Sequence, residues 1–197
     1  MRQTLLRQLK LFLFILVGYL AHVSIMPYVN LGGMSPSLVV SCTAIVIVGY
    51  GMLQGLWAGM FYGIVLEIML PTVPMLNLLF YPISALLCAV FFADRSAAQL
   101  QYQRSIGKRG RNTSPLFRTI MCTAVNMVIY EIVNLAYMYL SGATISMILI
   151  QRALTDALTT TLLTAIIMVP ARKLLGFRKK EEARTPEMRF DHRPARD

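Results

Sequence analysis

The chain has 197 residues, 56% of them hydrophobic and only 14% charged, with a mean hydropathy of +0.60. A soluble domain runs at about 45–50% apolar and about 25% charged, so a small water-soluble enzyme is excluded for want of polar surface to cover a core. Disorder is excluded over most of the length by the same numbers, and a lipid-facing β-barrel by apolar stretches that are continuous instead of alternating.

An all-α polytopic membrane protein remains, and six segments approach the ~20 apolar residues that cross a ~30 Å hydrocarbon core. The first runs from about Lys10 to Tyr28; it lacks a small-x-small cleavage pattern and reads as a permanent helix. The second, about Pro36–Tyr50, follows the turn-rich Asn30–Ser35 and is short. The third is about Met52–Leu70, and the fourth about Pro74–Ala93 with Pro82 as a kink. Leu116–Leu140 and Ile145–Lys173 complete the set. Residues 1–175 thus form one six-helix transmembrane domain, and 176–197, charged and without apolar period, read as a basic disordered tail.

The net charge is +10, and its placement argues against nucleic acid. Eighteen of the 19 Lys and Arg residues precede the first segment, surround the connection between the fourth and fifth, or follow the sixth. With six spans all three regions share one side, which the positive-inside rule makes cytoplasmic. Both termini are therefore expected in the cytoplasm, with anionic lipid facing the basic loop and tail. Cys42, Cys88 and Cys122 sit inside apolar runs without Cys-x-x-Cys spacing and read as small buried hydrophobes.

Two features break the usual composition of a span. Gly51, Gly55, Gly59 and Gly63 repeat every fourth residue of the third segment, and Glu67 continues the series. Such a stripe lets a helix approach closely, either within the bundle or to a partner. The fifth segment aligns Thr123, Asn126, Tyr130, Asn134, Tyr137 and Ser141, with Glu131 beside them. The sixth presents Arg152, Thr155, Asp156, Thr159 and Thr160. At about 1.5 Å per residue, Glu67, Glu131, Arg152 and Asp156 all fall in the outer half. A buried charge in a bilayer seeks a partner, so Glu67, Glu131, Asn134 and Asp156 are expected to form a polar network centred on Arg152. His22, at similar depth, reads as a structural residue. Walker A, His-Glu-x-x-His and Gly-x-Ser-x-Gly patterns are absent, so no catalytic or cofactor-binding residue is assigned.

The run Ser35-Pro36-Ser37-Leu38-Val39-Val40, followed by the glycine-stepped helix from Gly51 to Glu67, resembles the rod shape-determining protein MreD family. The resemblance spans about residues 10–175 and is most specific over 35–67. It implies a six-helix bundle similar to the S components of energy-coupling-factor transporters. It also implies a non-enzymatic role in the bacterial cytoplasmic membrane: binding MreC and helping couple MreB filaments and the elongation synthases to peptidoglycan synthesis. The alternative is a substrate-binding S component of a vitamin transporter, against which the connections at 71–73 and 141–144 are short for a lid. A proton-coupled transporter using Glu67, Glu131 and Asp156 as a relay is a third class, without a detectable inverted repeat.

Overall fold

The computed structural model describes residues 2–29, 36–69, 75–93, 114–142, 144 and 146–176. Among the described residues every regular element is helical: α1 (Arg2–Ser24), α2 (Leu38–Tyr50), α3 (Met52–Met69), α4 (Leu76–Phe92), α5 (Pro115–Leu140) and α6 (Met147–Leu175). A 3₁₀ turn at Met26–Tyr28 follows α1. The predicted basic tail and the basic connection between α4 and α5 lie outside the described residues.

Helices α1 (with its following turn), α3, α5 and α6 supply four stretches long and apolar enough to cross a membrane. Helices α2 and α4 are apolar but shorter, at 13 and 17 residues. For α2 the reason is its position. It packs against all five other helices, and every residue from Leu38 to Val48 is buried. A helix that is apolar all round belongs inside a core, and one enclosed by protein need not match the lipid thickness. In lipid such packing gains van der Waals contact instead of hydrophobic driving force, which favours the small and β-branched residues that fill α2. Ser37 opens this helix by accepting a hydrogen bond from the Val40 amide at 3.5 Å. Gly51 closes it at φ +100°, a left-handed value that lets α3 begin one residue later.

The glycine stripe divides its work. A Cβ on Gly59 would stand 2.8 Å from the Tyr81 carbonyl oxygen, and one on Gly63 2.8 Å from that of Asn77, so both hold α3 against α4 backbone to backbone. A Cβ on Gly55 would stand 2.5 Å from Ile47 Cγ1 of α2. Gly51 has open space around it and serves the corner instead. The stripe is thus spent inside the bundle. Cys122 of α5 joins Ala44 and Ile47 of α2 and Ala85 and Cys88 of α4 in one cluster. All three cysteines are buried and free.

Candidate functional site: a polar seam between α2, α5 and α6

Asp156, Thr160 and Thr164 follow one another at four-residue steps and so share a face of α6. That face meets the start of α2. The backbone amide of Ser37 donates to Thr160 Oγ1 at 3.0 Å, which satisfies a donor ahead of the first helical turn. One turn further, Thr164 Oγ1 lies 2.8 Å from Ser41 Oγ and also 2.8 Å from the Thr160 carbonyl oxygen. Ser41, Thr160 and Thr164 are each fully buried.

Toward the other end of the seam Thr160 Oγ1 stands 3.5 Å from Asp156 Oδ1. The hydroxyl can donate there while accepting from Ser37. Asp156 in turn faces Glu131 of α5, and both side chains are half-buried. Tyr81 of α4 reaches the Ser37 side chain. Its ring lies 6.4 Å from that of Tyr130, which also packs edge-on against Phe80 at 5.1 Å. A continuous line of polar groups therefore runs from half-buried carboxyls into a sealed core.

The residues expected to form one network fall into separate places. Glu131 and Asp156 come together, and Asn134 lies half-buried on α5 one turn from Tyr130. Arg152 is exposed on α6, and among the described residues it has no ion pair. Glu67 belongs elsewhere: its Oε1 accepts from the Met75 amide at 2.6 Å and its Oε2 from the Asn77 amide at 3.1 Å. It caps the first turn of α4, where amides have no partner of their own and the helix dipole favours an anion. An Arg152-centred cluster thus gives way to an acid pair, an exposed cation and a helix cap, because the capping amides lie closer to Glu67 than any cation. His22 Nδ1 and Asn126 Oδ1 are buried without a hydrogen-bond partner among the described residues. There too, no group of three His, Cys, Asp or Glu is placed to hold a metal ion.

Ser41 and Thr164 were not singled out by sequence. The available signal was the continuation of the α6 threonine spacing from Thr160 to Thr164. What it would face was decided by packing.

The seam opens on an unusual surface. No residue of α5 beyond Met127 is buried, and none of α6 before Thr160. Over these thirteen residues of each helix, about 20 Å in length, only one side touches the core, through residues such as Tyr130, Val133 and Ala157. These stretches mix exposed Ile132, Ile148, Leu154 and Leu158 with exposed Gln151, Arg152 and Thr155. No family model, curated protein or solved structure matches the chain.

Proposed function

We propose that this chain is a non-enzymatic, multi-pass scaffold of the bacterial cell-elongation machinery, of the MreD kind, which binds MreC and helps couple MreB filaments to peptidoglycan synthesis. In this reading all six helices cross the cytoplasmic membrane, with α2 shielded from lipid by its neighbours, and both termini are cytoplasmic. The observation that carries the reading is the α5–α6 surface. Ionisable groups facing lipid are costly, so exposed Arg152, with Gln151 and Thr155 beside half-buried Glu131 and Asp156, favours a protein partner over lipid as its neighbour. With the glycine stripe occupied within the bundle, these half-helices are the mixed polar and apolar surface offered to MreC.

The test is site-specific photocrosslinking in cells. A crosslinker at Ile132 or Leu154, both 60% exposed, should capture MreC, while one at exposed Val90 of α4 should not. MreC captured equally from all three positions, or from none, removes this reading. A vitamin-sized molecule retained by the mildly purified protein in place of MreC would replace it with the transporter reading.

A further inference from the structure

Helices α1 and α3 touch at one level and part at another. The Phe12 and Phe61 rings meet edge-on with centroids 6.3 Å apart, and Tyr62 donates to the Ile15 carbonyl oxygen at 3.0 Å. Toward the starts of both helices they separate around a cavity of about 480 Å³. Its lining changes character along its length. Arg7 and Gln8 of α1 and Gln54 of α3 stand toward the starts of the two helices, with Leu53 beside them, and Leu11 and Trp57 lie about a turn deeper. Arg7 is exposed, its guanidinium 4.6 Å from the centre of the Tyr50 ring, an arrangement that holds the cation in place at the mouth. Among the described residues no carboxylate pairs with it.

From Arg7 to Ile15 the groove is about 12 Å deep. One leaflet of a ~30 Å hydrocarbon core is about 15 Å. A spanning helix of a partner would need a groove of twice that depth, and this one is closed where Tyr62 joins Ile15. A polar, cationic mouth above an apolar slot of one-leaflet depth matches a lipid. We propose that the groove seats an acyl chain of an anionic glycerophospholipid, with the phosphate against Arg7. Guanidinium binds phosphate oxygens in a two-pronged geometry, and the two glutamines add neutral donors beside it. Trp57, 63% exposed at the groove wall, lies against the upper part of the chain, where indole rings are favoured in membranes.

Trp57 is the protein's single tryptophan, so all tryptophan fluorescence comes from the groove wall, and the difference between the two lipids isolates the groove from the bulk bilayer that the exposed ring also meets. The full chain is reconstituted in phosphatidylcholine bilayers containing either brominated phosphatidylglycerol or brominated phosphatidylcholine at equal fraction. Half-quenching should need about fivefold less of the anionic lipid, the preference that one cation near the surface provides. Arg7→Gln should abolish the difference, and Arg7→Lys should restore most of it, with circular dichroism unchanged in both. Saturating inorganic phosphate should leave the preference intact, because the chain holds the lipid in place. Equal quenching by the two lipids overturns the proposal, as does a preference that survives Arg7→Gln. Displacement by phosphate would assign the mouth to a free anion and also overturn it. So would shielding of Trp57 from both lipids, which would mean that protein covers the groove.

Discussion

The Glu67 carboxylate reaches across the α3–α4 turn to accept a hydrogen bond from the Asn77 amide at 3.1 Å, making an acid of one helix the cap of the next. Its other oxygen takes the Met75 amide. Glu67→Ala should therefore destabilise the protein in detergent by about 0.5–2 kcal/mol, the range for losing a helix cap. Glu67→Gln, which keeps one acceptor, should lose less. Hydrogen exchange should quicken at Met75 and Asn77 in the alanine variant. Unchanged exchange at both amides would show that the cap does not operate.

Arg152 and Glu131 should behave oppositely. Arg152 is exposed and unpaired among the described residues, so Arg152→Ala should change stability by no more than about 0.5 kcal/mol. Glu131 faces Asp156, and Glu131→Ala should cost about 1–3 kcal/mol by leaving Asp156 short of a polar neighbour. Glu131→Gln carries a permanent donor and should retain wild-type stability. Thermal unfolding in one detergent reads all three. A large loss for Arg152→Ala would revive the cation-centred network.

The glycines should rank by what a side chain would meet. Gly59→Ala and Gly63→Ala push against α4 carbonyl oxygens, so α3 and α4 must separate along their contact. Gly55→Ala meets Cγ1 of the fully buried, β-branched Ile47 at 2.5 Å and should cost as much, because that side chain has little freedom to yield. Gly51→Ala has room but is strained by its φ of +100°, at about 1 kcal/mol or more. Gly59→Leu should lower expression or disperse the protein before any partner is considered. A monodisperse Gly59→Leu protein of normal stability would contradict the α3–α4 packing.

The buried hydroxyls of Thr164 and Ser41, 2.8 Å apart, should be energetically coupled. Thr164→Val and Ser41→Ala should each destabilise, and the double variant should lose less than their sum. Thr160→Val strands the Ser37 amide and should be the most damaging of the three. Strict additivity between positions 41 and 164 would argue against the contact.

Membrane orientation can be checked with reporter fusions. Fusions after Gly107 and Arg184 should read cytoplasmic, and those near Gly32 and Gly142 external, if the basic regions share the inner side. An external signal at either basic site would remove the six-span arrangement.

Composition alone determined the class of this protein, and apolar run lengths located five of its six helices to within two residues, whereas α1 begins at Arg2, eight residues before the apolar run expected from Lys10. That was possible because lipid imposes a length and a polarity on each span independently of the others. The glycine spacing likewise announced a close helix contact, since absence of a Cβ is a local property. Which surface the glycines meet was a matter of packing: Gly59 and Gly63 face α4, whereas Gly51 turns a corner. Depth along each helix placed Glu67 and Arg152 at one level, yet level says nothing of direction around the bundle. Only the tertiary structure turned Glu67 onto the α4 amides, left Arg152 on the surface, and joined Glu131 to Asp156. The half-span opening beneath Arg7 was equally hidden, because it arises from the divergence of two helices whose sequences, taken singly, describe ordinary membrane spans.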